Sequence, residues 1–342
     1  MIRYTAPNPY QKKSRFSAFV SSFFSSGSSL SESTGKLILP AQMRAPKQLS
    51  QFHKNVMAYD GLHVETGEVV TYDDAVLDTI EITPLADENH QDETHKFHII
   101  KFNGNGGMFE DLALDYATEA KRLDATVIAF NYRGVGGSNS TNPKIFQDLI
   151  TDGIAQVQRL IAKGINSEKI MVDGISLGGV VATMVASHFH KAGLPIYLWN
   201  DRSLSKISKA AAGFVTPELS GIFGDPIASS LESSSWSVLK PAGWEADAAK
   251  AYNEIPEKYK AYMFVAKKSE RSKGDGVIAP RAALHEGVKA FEKKGQFRTA
   301  NKVLSYSLFG GHNDARVDLI SADNPEINGQ MIFDSAVRRN RR

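Results

Sequence analysis

From about Val69 onward, apolar residues gather in short continuous runs that alternate with longer stretches repeating every three to four positions. Short apolar runs bounded by turn-forming residues read as buried strands, and the 3.6-residue repeat reads as amphipathic helix. The pattern predicts strands over 77–83, 96–102, 126–131, 169–173, 195–200, 260–266 and 302–308, and helices over 109–124, 143–163, 177–191 and 281–294. Strands separated by helices need right-handed crossovers, so the expected class is α/β, with a mostly parallel central sheet and helices on both faces.

Two stretches break the alternation. About 60 residues separate the strand ending at 200 from the one starting at 260, too many for an ordinary loop, and the expectation is a helical cap over 201–259. Phe214, Leu219, Ile222, Phe223, Trp236 and Trp244 make it rich in apolar groups that suit an acyl pocket, or that simply seat the cap on the core. The other break is at the N-terminus, where ten of the 21 residues from Ser14 to Thr34 are serine. Such a bias supplies no packed core, so residues 1–47 are expected to form a basic arm outside the main fold. Within it, Phe16, Phe19, Val20, Phe23 and Phe24 line one helical stripe behind Lys12, Lys13 and Arg15. Residues 12–24 are therefore a candidate for peripheral membrane contact or for docking on a partner, against the alternative of plain disorder. The expected division is completed by core segments at 48–200 and 260–337 and a basic tail at 338–342.

Composition narrows the chemistry. The chain has 342 residues, 42% of them hydrophobic, enough for a sizeable core, and no run approaches the ~20 apolar residues that span a bilayer. Cysteine is absent, which removes disulfides and thiolate chemistry. With +6 on residues 1–47 and +4 on Arg338, Arg339, Arg341 and Arg342 of a chain whose net charge is +2, residues 48–337 carry −8. The body of the protein therefore has no nucleic-acid footprint.

The sharpest motif is Gly174-Ile175-Ser176-Leu177-Gly178, set between a predicted strand and a predicted helix. A turn that tight requires glycine around the serine and leaves its hydroxyl exposed, which makes Ser176 the candidate nucleophile. A serine needs a base, and His312 follows the last predicted strand in Gly310-Gly311-His312. The acid that orients the base is assigned to Asp275, in Gly274-Asp275-Gly276, with Glu270 as fallback and Asp201 one strand earlier as another choice. The glycine-rich loop Asn103–Gly107 offers backbone donors for an oxyanion; the amides of Asn105 and Leu177 are the expected pair, with Gly106 possible. Neither this loop nor a second glycine-rich stretch at Gly134–Gly137 completes a dinucleotide fingerprint or precedes a phosphate-binding lysine. His188 and His190, spaced two apart and read as facing solvent, have no ligand partner motif. No cofactor or metal is expected.

These motifs, in this order, resemble the α/β-hydrolase superfamily over about residues 69–314. The resemblance implies a serine hydrolase acting through Ser176, Asp275 and His312, although Asn103 stands where many members have histidine. The strings Phe-Asn-Gly-Asn-Gly-Gly, Phe-Asn-Tyr-Arg-Gly-Val-Gly-Gly-Ser and Asn-Asp-Arg-Ser-Leu-Ser are more narrowly similar to lipase-like hydrolases of intracellular bacterial pathogens, including secreted effectors of the SidB type. That likeness would imply delivery into a host cell. The expected activity is cleavage of carboxylic esters, with lipid or long-chain acyl substrates. The alternatives are a serine peptidase, for which Glu218, Asp225, Glu232 and Glu245 would receive a peptide amine, and a non-catalytic scaffold of the same fold.

Overall fold

The computed structural model describes residues 2–9, 29–85, 96–138, 140–209, 239–267, 273–292 and 300–341, with single positions at 235, 237 and 269. They belong to two compact units, Met1–Met171 with Ala242–Trp244, and Val172–Pro241 with Glu245–Arg342.

The first unit runs β1 (Ile2–Thr5), α1 (Ser29–Ile38), α2 (Gln51–Tyr59), β2 (Leu62–Val70), β3 (Val76–Pro84), β4 (His98–Phe102), α3 (Phe109–Leu123), β5 (Thr126–Phe130) and α4 (Phe146–Ala162). Its strands lie in the order β1-β2-β3-β5-β4. Strands β2 and β3 form an antiparallel hairpin from the Leu62–Pro84 pair to the Val70–Val76 pair, β3 is antiparallel to β5, and β5 is parallel to β4. Every residue of β4 and β5 is buried, as expected of strands covered on both faces. Their polar members are matched: Lys101 pairs with Glu119 of α3, and His98 Nδ1 lies 3.0 Å from the Lys96 carbonyl. Helix α3 buries Ala113, Tyr116, Ala117, Ala120 and Leu123, one stripe of a 3.6-residue repeat.

Part of the expected N-terminal arm belongs to this unit. Strand β1 pairs in parallel with β2, Ile2 opposite Gly67, because Ile2 is buried and the free edge of β2 offers hydrogen-bonding groups. Leu39 and Ala41 are also fully buried. The serine- and phenylalanine-bearing stretch 10–28, and with it the candidate membrane contact at 12–24, lies outside the described residues.

The second unit contains β6 (Ile170–Ile175, with the unit boundary inside it), α5 (Leu177–Lys191), β7 (Tyr197–Asp201), α6 (Ala248–Glu254), β8 (Lys260–Lys267), α7 (Leu284–Glu292), β9 (Ala300–Ser305), β10 (Ile320–Ser321) and α8 (Gly329–Arg341). The strand order is β6-β7-β8-β9-β10, with β7, β8 and β9 mutually parallel and β10 antiparallel. Because β7, β8 and β9 run one way, the loops that leave their C-terminal ends collect along one edge. The end of β7 carries Asp201, and the loops carry Arg202, then Asp275, then His312.

The stretch expected to be a basic tail is instead the end of α8. Phe333, Ala336 and Val337 anchor that helix, Phe333 against Trp199 of β7 with ring centroids 5.3 Å apart. Arg338, Arg339 and Arg341 form its last turn, where positive charge complements the helix dipole. Of the expected cap, residues 210–234 together with Trp236 and Val238 lie outside the described residues, whereas Leu239 and Trp244 are buried.

Candidate active site

Ser176 is the single residue between β6 and α5, at φ 55° and ψ −123°. That conformation is sparsely populated for any residue with a side chain and is kept only where the surroundings enforce it. Two contacts do so here. The Ser176 N–H donates to the Asp201 carbonyl at 2.9 Å, and a Cβ at Gly174 would sit 2.3 Å from the Gly178 carbonyl oxygen, so only glycine lets the strand turn into the helix. Leu177, buried, opens α5, and its amide belongs to the first turn, where N–H groups have no partner within the helix.

The candidate acid and the candidate base meet. His312 Nδ1 lies 2.9 Å from Asp275 Oδ1 and 3.0 Å from Oδ2, straddling the carboxylate. Nδ1 therefore carries the proton and donates it to Asp275, and Nε2 is left as the basic nitrogen. Backbone contacts fix the two loops: His312 N–H donates to the Asp275 carbonyl at 2.8 Å and Gly311 N–H to the Gly274 carbonyl at 2.6 Å. Approach this close needs the Gly276–Gly310 pair, both at positive φ, since a Cβ on either would lie 2.5 to 2.6 Å from the other's Cα. Asp275 Oδ1 also accepts the amides of Val277 and Ile278, at 3.2 and 2.7 Å, which set the carboxylate before it reaches the imidazole.

Asp201, the other choice for the acid, is occupied elsewhere. Its Oδ1 accepts Arg202 Nε at 2.7 Å, and its Oδ2 accepts Arg202 Nη2 at 3.1 Å and Arg316 Nε at 2.8 Å. Complete burial on its own would push this carboxyl up, but the two guanidinium groups outweigh it and hold the pKa down to about 2. Arg316 Nη2 reaches on to Asp173 of β6 at 2.7 Å. Neither arginine stood out in the sequence; the only signal was the Asn-Asp-Arg-Ser-Leu-Ser string, and nothing in it reveals burial.

A cavity of about 300 Å³ lies beside the acid loop, lined by Asp275, Ile278, Leu284, Phe264, Lys267 and His285. His285 stacks on Phe264 with centroids 4.0 Å apart, and burial holds its pKa down to about 4, so it is neutral at pH 7. The other flagged residues fall as follows. Asn105 and Gly106 lie in the loop after β4, in the first unit, where the Asn105 carbonyl accepts Ala41 N–H and the Gly106 carbonyl accepts Arg44. His188 and His190 do not face solvent as expected. Both are half-buried, His188 edge-on to Phe189 and His190 Nε2 2.9 Å from the Ile196 carbonyl, because the end of α5 packs down instead of projecting. Glu270, Glu218, Asp225 and Glu232 lie outside the described residues; Glu245 accepts the amides of Ser208 and Ala246.

No family model matches the sequence, and no curated protein matches it. Solved structures do. An alpha-beta hydrolase from Vibrio vulnificus matches with a TM-score of 0.56 at 16% identity, over 83% of this chain and 88% of that one. The chain has the α/β-hydrolase fold. An esterase from Pyrococcus furiosus matches with a TM-score of 0.50 at 16% identity, over 86% of this chain and 95% of that one. The α/β-hydrolase fold is a mixed, mostly parallel sheet with helices on both sides, as found here. The narrower likeness to effector hydrolases of pathogens gains no support from these structures.

Proposed function

We propose that the protein is a serine hydrolase that cleaves carboxylic esters through an acyl-Ser176 intermediate. The observation that carries this reading is a serine, not a glycine, held at φ 55° in the turn between β6 and α5. Strain of that kind, on a residue able to act as a nucleophile, has a chemical purpose in this fold.

Ser176 Oγ attacks the ester carbonyl as His312 Nε2 takes its proton. Asp275, bonded to Nδ1, holds the tautomer and stabilises the imidazolium. The Leu177 amide donates to the oxyanion of the tetrahedral intermediate, and a donor in that role typically contributes roughly 10²- to 10³-fold in rate. The departing alkoxide collects the proton from His312, and a water activated by the same nitrogen then releases the acid. The substrate class is lipid or long-chain acyl esters, a reading supported by the apolar composition of residues 201–259 and by the basic, phenylalanine-bearing stretch 12–24. Among the described residues no helix is long and apolar enough to cross a membrane.

A fluorophosphonate probe should label the wild type and fail to label Ser176→Ala, and ester turnover should rise with acyl length. A folded wild type that takes no label would overturn the hydrolase reading; turnover that falls beyond short acyl chains would remove the lipid assignment alone.

A further inference from the structure

Arg202 is buried, sits directly after β7 and adopts a left-handed backbone at φ 46°. One edge of its guanidinium grips Asp201 through Nε and Nη2. The remaining nitrogen, Nη1, has two hydrogens and spends them on three main-chain carbonyls: Gly311 at 3.0 Å, His312 at 2.8 Å and Asp314 at 2.7 Å. All three belong to the loop that presents the candidate base. The backbone N–H of Arg202 in turn donates to Met263 of β8 at 2.9 Å, which fixes where the side chain starts.

We propose that Arg202 is a positioning residue that sets the backbone of His312, and through it the aim of the imidazole. The proposal rests on the reading of His312 as the base for Ser176. The His312 peptide is held on both sides, its N–H by the Asp275 carbonyl and its C=O by Arg202, which leaves the side chain little to adjust beyond its own rotamer. The Gly311 carbonyl also accepts the Asp314 N–H at 3.3 Å, but a planar fork holds Asp201 by one edge while leaving Nη1 for all three carbonyls, which a single ammonium on a flexible stem cannot do at once. The arrangement also reaches the nucleophile. Asp201, which anchors the fork, accepts the Ser176 N–H through its own carbonyl, so one dipeptide touches both the serine turn and the histidine loop. Arg316 extends the array to Asp173, three residues before Ser176. The four charges, two acidic and two basic, sum to zero, so burial leaves no net charge uncompensated.

A device that merely stabilised the unit would not need to choose these carbonyls. The test therefore reads orientation apart from folding. Arg202→Lys keeps the charge beside Asp201 but lacks the fork, and the neutral Arg202→Gln is read in the same way should the lysine variant not fold. With histidine labelled with nitrogen-15, the Nδ1–H proton of His312 is assigned by its loss in His312→Gln. In a variant at position 202 with wild-type circular dichroism, that resonance should shift upfield or be lost to exchange. The kcat for an ester should fall at least 30-fold with KM changed less than threefold, and fluorophosphonate labelling should slow in parallel. An unchanged His312 resonance with kcat within threefold of wild type would overturn the proposal, as would an equal loss traced wholly to KM. Absence of fluorophosphonate labelling in the wild type would overturn the hydrolase reading instead, and the resonance would still decide whether Arg202 sets His312.

Discussion

An acid that accepts two amides from its own loop before it meets a histidine has little freedom to follow that histidine if the contact is weakened. In Asp275→Asn the loop amides can still bond the side-chain oxygen, but the NH2 group now faces Nδ1 and favours the wrong tautomer. The expected result is a fall in kcat of roughly 10³- to 10⁴-fold with the fold intact, measured by steady-state ester hydrolysis. A loss under tenfold would assign the acid to a different carboxylate. A second residue makes a pH prediction of definite sign. Burial inside the first unit holds the pKa of His98 down to about 4, below the unfolded value of about 6.5. The unfolded chain therefore takes up this proton first, and the contribution of His98 to stability is lost as pH falls from about 6.5 to about 4. In urea unfolding at pH 7 and pH 4, the stability of wild type relative to His98→Gln should drop by roughly 3 kcal/mol. A difference that does not move with pH would show that His98 titrates normally. The candidates Ser176, Asp275 and His312 stood out in the sequence because glycines mark the loops that hold them. Arg202 was not, since a buried arginine and a surface arginine look alike in a string of letters.

Among the elements, legibility followed the strength of the local pattern. Strands β4 and β5 are short, mostly apolar runs, with only His98 and Lys101 in β4 and Thr126 in β5 as polar members, and α5 begins at a turn motif, so each stands out without tertiary information. Strand β2 did not, because Leu62–Val70 mixes His63, Glu65, Gly67 and Glu68 into its run, and glycine reads as a break. The structure gives that glycine its reason: a Cβ at position 67 would lie 2.1 Å from the Ile2 carbonyl oxygen, so the residue that obscures β2 is the one that lets β1 dock. Gly67→Ala should accordingly release β1. Amide hydrogen exchange should then show protection lost at residues 2–5 and kept in β3, and unchanged protection at residues 2–5 would mean that β1 is held by something other than its ladder with β2. Helix α8 was hidden for a different reason: its four buried positions are outnumbered by polar and basic residues, so no helix was read over 329–337 and 338–342 was read only as a basic tail.

At the scale of the whole molecule, the alternation of strands and helices was enough to foresee an α/β class, while the division into two units was not foreseen. That boundary falls inside β6, within one short apolar run, where neither composition nor a linker marks it. The candidate nucleophile, acid and base all belong to the second unit. The conformation of Ser176 bears on the stability of this entire chain. A residue held at φ 55° and ψ −123° raises the free energy of the native state by about 1 to 3 kcal/mol, a penalty glycine does not incur. Against this, glycine at the same position adds unfolded-state entropy worth about 0.4 to 1 kcal/mol. Ser176→Gly should therefore melt at a higher temperature than the wild type by calorimetry while being inert to fluorophosphonate, and a lower melting temperature would mean that the turn is not strained. If it melts higher, a more durable version of this sequence is one without its candidate nucleophile, and selection for stability alone would drive the serine out.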